Sequence, residues 1–434
     1  MAADRPPDPG STFPANYGLR GGDFAQTWGV FPEGGPHSHL ARTKMMGIMD
    51  RRQFLYYLSV LGLSRCAPTT VVTRSADPSQ VKFELIGDWS PLPPKIITGN
   101  VAVPSIVGTS HAPNPRFVNV ENLVREAIEK AGSFSRIIRP GQQVLIKPNL
   151  VSDVRSGTGF TTDIRVAEAV AKIALDCGAK KIIFGEGSST NRDLKSYNSE
   201  VTEKCFVAGG YGDLAKKLGT RIIDLNEAGE RPGGRELVGN VELKYGLKRK
   251  SYWISKYFLD ADCVMSVPVL KNHRYAGVTR SLKNYIGIAP ADIYQLPGVR
   301  PSKSGLDHSI VGLAKHIVDL VMVRPPDYAV IDALVGISSG DRAYPYLPGP
   351  KGHMRAILAG RDPVAVDTVP CMAMNYEPRT IGHLVFASAV GLGILDPNKI
   401  EIRGMGIEPF RQDFPIPVAN SGYVPGRYGQ TPKA

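Results

Sequence analysis

Cysteine is scarce in this chain and badly placed for metal chemistry. Among 434 residues there are 5, at Cys66, Cys177, Cys205, Cys263 and Cys371, and no two are close enough for a CxxC pair. That spacing excludes a zinc knuckle, and no cysteine-ligated iron–sulfur cluster is expected. The histidines lack HxxxH spacing, which argues against a simple zinc hydrolase. Tryptophan numbers only 3, and basic residues never run to five in a row. A net charge of +12 would suit nucleic acid, anionic lipid or a small anion. With no recognition helix and no aromatic platform, nucleic acid is the weakest of the three. No GxGxxG follows the first strand and no GxxxxGKS/T occurs, so dinucleotide or ATP use has no direct support.

What remains reads as a globular protein, 42% hydrophobic and 21% charged, long enough for more than one core. Residues 1–48 are rich in glycine, proline and small polar residues without a sustained period, and read as disordered or as a mis-assigned start. Residues 49–66 resemble a twin-arginine export signal: Arg51-Arg52, then Phe54-Leu55, then a short apolar run to Leu63. That run is too short to span a bilayer, so no transmembrane span is expected. Export to the periplasm or another extracytoplasmic space is the expected localisation, and Arg65 before Cys66 spoils a lipoprotein box. Residues 67–115 read as an irregular linker region holding a strand or two, 116–405 as the α/β core, and 406–434 as a loose tail.

Regular structure begins at Asn119, after which Val120, Leu123, Val124, Ala127, Ile128 and Ala131 recur at helical spacing up to Gly132. Val144–Ile146 is a buried strand leading into Lys147-Pro148-Asn149. Asp163 caps a second helix that Gly178 closes, and a strand over 181–184 runs into Gly185-Glu186-Gly187. A helix over 214–218, a strand over 221–224 and a two-stranded insertion within 236–254 follow. A strand at 263–267, a helix over 307–321 and strands at 328–332 and 354–358 come next. Asp362-Pro363 starts a helix, another lies near 380–390, and a strand at 400–403 closes the core. Such alternation implies a mostly parallel sheet with helices on both faces, plus the small antiparallel insertion. It also brings Asn149, Glu186, Asp224 and Lys271 to one edge of that sheet, the edge where ligands bind.

A strongly basic stretch falls at that edge. Residues 268–288 carry Lys271, Asn272, His273, Arg274, Thr279, Arg280, Lys283 and Asn284, and no carboxylate. The cations repel one another unless an anion joins them. A solvated basic loop is the plainer alternative. Lys147 and Asn149 at a strand end read as ligand contacts, or else as a turn with a solvated lysine. Glu186 between glycines suits close backbone approach to an anion, and equally a tight turn.

Taken together, VLIKPNL (144–150), TTDIRVAEAVAKIALDCGAKKIIFGEGSS (161–189), SVPVLKNHRYAGVTRSLKNYIGI (266–288), IVDL and AVIDA (317–333) and LAGRDPVAVDTV (358–369) resemble the domain of unknown function 362 family. The resemblance implies the architecture and leaves the chemistry open. Many relatives carry a ferredoxin-like cysteine segment, and this sequence has none.

Two function classes fit. In the first, an exported enzyme acts on a small anionic, carboxylate-type molecule by proton transfer, an isomerase-like reaction being one that suits such groups. Lys271, His273 and Lys283 are its candidate catalytic residues, and Lys147, Asn149, Glu186, Asn272, Thr279 and Asn284 its candidate substrate contacts. In the second, the same cleft captures an anion or a metal complex without catalysis. Cofactor, metal and oligomeric state are left open.

Overall fold

The structure is a computed structural model. It describes residues 92–414 apart from 96, 98–101, 103, 117, 190–199, 230–233, 274, 297–302 and 338–350. All of these fall in the compact unit Cys66–Ala434. The expected start (1–48), the export signal (49–66), most of the expected linker region, Arg274 and residues 415–434 lie outside the described residues.

Strand β1 (Ser105–His111) precedes helix α1 (Val120–Ala131), β2 (Gln143–Pro148), α2 (Ile164–Asp176) and β3 (Lys181–Glu186). Helices α3 (Glu200–Gly209) and α4 (Tyr211–Leu218) then lead to β4 (Arg221–Asp224) and to the insertion β5 (Val238–Glu242) and β6 (Ser251–Ser255). Strands β7 (Cys263–Val267), β8 (Val269–His273) and β9 (Gly277–Thr279) follow, then α5 (Ile310–Val323) and β10 (Tyr328–Ile337). The two-residue β11 (Lys351–Gly352), β12 (Ala356–Gly360), α6 (Pro363–Ala373), α7 (Gly382–Val390) and β13 (Ile400–Gly404) come last, and short helices at Lys256–Leu259 and Ala291–Tyr294 lie between the longer elements. Asn119, Asp163 and Asp362 cap α1, α2 and α6 as the sequence implied, each side chain accepting a backbone N–H of the first turn.

The main sheet runs β13-β1-β12-β10-β7-β2-β3-β4. Along that path only β12 is antiparallel to its neighbours, β1 and β10, while the other adjacent pairs are parallel. β5 and β6 form a separate antiparallel pair. The fold is therefore α/β with a mostly parallel sheet, as the alternation implied. Its two faces are covered by different helices, and the strand residues divide between them with period two. Val144, Ile146, Ile182, Phe184, Cys263 and Met265 pack with α1, α2 and α4. Leu145, Ile183 and Val264 pack on the opposite face with α5, α6 and α7. Each such Val, Leu or Ile contributes about 1.5–3 kcal/mol by leaving water.

β1 is a strand of the kind expected within the linker region, and it is flanked by β13 and β12 within the sheet. Its sequence, SIVGTSH, offers a weak apolar pattern because its partners and α1 supply the burial that its own side chains do not. The expected loose tail also contributes to the core, since Phe410 and Phe414 are 1% and 2% exposed and pack against it.

Candidate functional site

Because β2, β3 and β7 are parallel, Lys147, Glu186 and the start of β8 leave the sheet at one edge. There the Lys147 ammonium donates to Glu186 Oε1 at 2.5 Å and to Asn284 Oδ1 at 3.2 Å. Asn284 also accepts from Asn149 Nδ2 at 3.4 Å and donates to Lys147 O and Ser266 Oγ. Asn149 Oδ1 in turn accepts from the Lys271 ammonium at 3.0 Å, which donates as well to Phe160 O at 2.8 Å and lies over the Phe160 ring. A continuous chain thus runs Glu186–Lys147–Asn284–Asn149–Lys271. All five side chains are buried, Lys147 completely.

The second Glu186 oxygen accepts from Leu150 N, and Oε1 from Gly187 N, so the carboxylate is fully engaged. Burial holds Lys147 below the ordinary lysine range, while the charge of Glu186 pulls it the other way. This packing needs two glycines. A Cβ on Gly287 would stand 2.1 Å from Glu186 Oε1 and 2.5 Å from Lys147 Nζ, and one on Gly187 would stand 2.3 Å from Gly287 O.

One member of the cluster is not legible in the sequence. Lys303 is fully buried, and its ammonium donates to Gly187 O and Ile286 O, both at 3.0 Å. Its backbone takes φ 55, unusual for a side-chain-bearing residue. Burial is the main reason its pKa falls to about 7, although Glu186 pulls it upward. In the sequence it sits in Pro301-Ser302-Lys303-Ser304-Gly305, which reads as a solvated loop.

The β8–β9 hairpin divides the remaining candidates between two faces. Lys271 is opposite Thr279 and His273 opposite Gly277, so Lys271, His273 and Thr279 share one face. Thr279 is buried and its hydroxyl has no hydrogen-bond partner. Nδ1 of His273 accepts from Tyr275 N and Ala276 N at 3.2 Å, closing the hairpin turn. Asn272 and Arg280 take the other face, where Asn272 donates to Tyr376 OH and Arg280 reaches α6. Lys283, half-buried, opens a 3₁₀ turn (Lys283–Ile288) rather than an α-helix, and its charge acts on His308 and His383. Asp224, at the end of β4, is paired in register with Glu186.

The structure therefore joins Lys147, Asn149, Glu186, Lys271 and Asn284 by hydrogen bonds and places Thr279 and His273 on the Lys271 face. Asn272 and Arg280 turn toward other partners. Asp367, on α6, is a fully buried carboxylate. It accepts from Ser281 N, Ser281 Oγ and Leu282 N, and burial raises its pKa to about 6. Among the described residues no three His, Cys, Asp or Glu side chains cluster as metal ligands, and no helix is long and apolar enough to cross a membrane. A surface groove of about 590 Å³ between α1 and α2 is lined by Arg116, Glu121, Arg165, Glu168 and Lys172 among others, and by no member of the network.

The sequence that builds this site has relatives among known proteins. Residues 144–372 match the family model described as Domain of unknown function (DUF362). A thylakoid-associated protein of Synechocystis sp. is 25% identical over 271 residues, covering 62% of this chain and 74% of that one. Among solved structures, the lactate racemase apoprotein from Thermoanaerobacterium thermosaccharolyticum matches at 13% identity and a TM-score of 0.35. That match covers 69% of this chain and 62% of the racemase, so the chain spans less than two thirds of that protein's length. A Thermotoga maritima protein matches at 14% identity and a TM-score of 0.28, over 50% of each chain.

Proposed function

Given that the chain belongs to the DUF362 family, we propose that it binds a small carboxylate against the Lys271–Thr279 face and moves a proton on it. The observation that carries this reading is the buried hydrogen-bonded chain from Glu186 to Lys271, which ends beside the unpartnered Thr279 hydroxyl. A bound carboxylate would accept from the Lys271 ammonium and the Thr279 hydroxyl. The Lys147–Glu186 pair and the two asparagines would hold that ammonium in place without reorganising. His273, on the same face and two residues along the strand, would exchange the proton. Non-catalytic capture of the anion uses the same contacts and differs only in lacking the last step.

Isothermal titration with a panel of small hydroxy- and oxo-carboxylates tests the binding. We expect Thr279→Val, which keeps shape and loses the hydroxyl, to weaken binding about tenfold, the equivalent of 1.4 kcal/mol. Equal affinity in wild type and Thr279→Val would overturn the reading. Proton NMR in deuterium oxide then separates the classes: exchange of the hydrogen beside the carboxylate, lost in His273→Gln, marks the enzyme.

We also propose twin-arginine export, on the strength of Arg51-Arg52 and the apolar run that follows. Replacing both arginines with lysine should retain the protein in the cytoplasm, and unchanged export on cell fractionation would refute it.

A further inference from the structure

The other face of the β8–β9 hairpin holds a buried charge with poor company. Arg280 is 0% exposed, the largest fully buried side chain described. Its guanidinium donates to Asp367 O at 3.3 Å, Cys371 Sγ at 2.9 Å and Met374 Sδ at 2.7 Å. Two of those acceptors are sulfur, which accepts hydrogen bonds only weakly. The Nε–H has no partner at all. Asp367 feels the charge, but its oxygens are taken by Ser281 and Leu282, and it forms no ion pair with Arg280.

A second orphan lies within reach of the same charge. His383, in the first turn of α7, is 0% exposed, and neither ring nitrogen has a hydrogen-bond partner. Burial, then Lys283, then Arg280 depress its pKa, so the ring is neutral and carries one N–H. Buried polar atoms in native proteins are nearly always satisfied, and two unpartnered buried donors suit a small shared acceptor. A buried, unpaired guanidinium costs several kcal/mol, which a counter-charge would offset. Closely packed interiors hold few voids larger than a water molecule, so the counter-charge must be small.

We propose that Arg280 and His383, with the half-buried Lys283, form an internal site for a monatomic anion of chloride size. The anion accepts from Arg280 Nε–H and from the His383 ring N–H, and so satisfies both orphans. It lies on the opposite face of the hairpin from Lys271 and Thr279, and stands or falls independently of the carboxylate reading. By neutralising the guanidinium it keeps α6 packed against the loop that carries Ser281 and Asn284.

Bromide is the probe. Crystals of the full chain grown or soaked in bromide should show an anomalous peak within hydrogen-bond distance of Arg280 Nε and His383. In solution, chloride or bromide at a hundredfold excess over its dissociation constant should raise the melting temperature by on the order of 5 °C over sulfate at equal ionic strength. Arg280→Met should abolish that difference. If that variant does not fold, His383→Phe, which preserves ring volume, carries the same expectation. Lys271→Ala should retain the halide effect, so loss of carboxylate binding and loss of halide binding are read separately. Absence of the peak, or equal stabilisation by sulfate and halide, would overturn the proposal and assign the space to water.

Discussion

At the scale of single residues, the interior of this protein is governed by how buried charges are compensated. Glu186 and Lys147 compensate each other at 3% and 0% side-chain exposure. Glu186→Gln leaves the Lys147 ammonium without a counter-charge, and should cost about 3–5 kcal/mol in urea unfolding. Adding Lys147→Met to that variant should recover most of the loss, since the pair's attraction and its desolvation penalty nearly cancel. Lys303 is governed differently, with two carbonyls for partners and a pKa lowered to about 7 from the usual 10.5. Between those values the unfolded chain holds more protons than the native one, so stability should rise with pH across that window. Lys303→Met should remove this part of the slope, measured as urea midpoints between pH 7 and 10. Hydrogen bonding also fixes a tautomer. The Tyr252 hydroxyl, 3.0 Å from Asp319 Oδ2, has one proton to donate to that carboxylate, so His316 Nδ1, 2.6 Å away, must carry the proton it gives to Tyr252. The sequence disclosed Lys147, Glu186 and Lys271 because each stands at the end of, or shortly after, a recognisable apolar strand run. It hid Lys303 and His383, because burial by distant segments leaves no local pattern.

Elements are held in place by a few acceptors that collect backbone donors. Asp319 on α5 accepts from Leu247 N, Lys248 N and Arg249 N at 2.6, 2.8 and 3.0 Å, tying the β5–β6 turn to the core. Burial raises its pKa, and these N–H groups oppose that rise. Asp319→Asn loses an acceptor oxygen and the charge, at about 1–3 kcal/mol. Hydrogen exchange should then accelerate at the amides of residues 247–249 while those of β2 and β7 stay protected. The 3₁₀ turn at Lys283–Ile288 depends instead on close approach. Gly287→Ala should displace the Lys147–Glu186 pair and lower stability by about 2 kcal/mol or more, read in the same unfolding experiment. Most helices and strands were legible at this scale from their periodicity and their Asn119, Asp163 and Asp362 caps. The turn at Lys283 was not, because its i,i+3 bonding is chosen by contacts with Lys147, Glu186 and α5 rather than by its own residues.

For the molecule as a whole, the parallel half of the sheet was legible, and in the mixed half β12 and β13 were legible while β1 was not. β2, β3 and β7 are apolar runs followed directly by polar edges, whereas β1 declares itself only through its partners. Those partners are β12 and β13, and Thr109 Oγ1 donates to Arg403 O across 294 positions of chain. Such pairing has a consequence for synthesis. During elongation on the ribosome β1 emerges early and waits, its backbone donors unmet, until the strands at 356–360 and 400–404 follow. The β2–β3–β7 portion can assemble meanwhile, but the sheet closes only after β13 has emerged. Were the proposed export route to carry only finished folds, release of the last core strand would act as the clock that licenses departure.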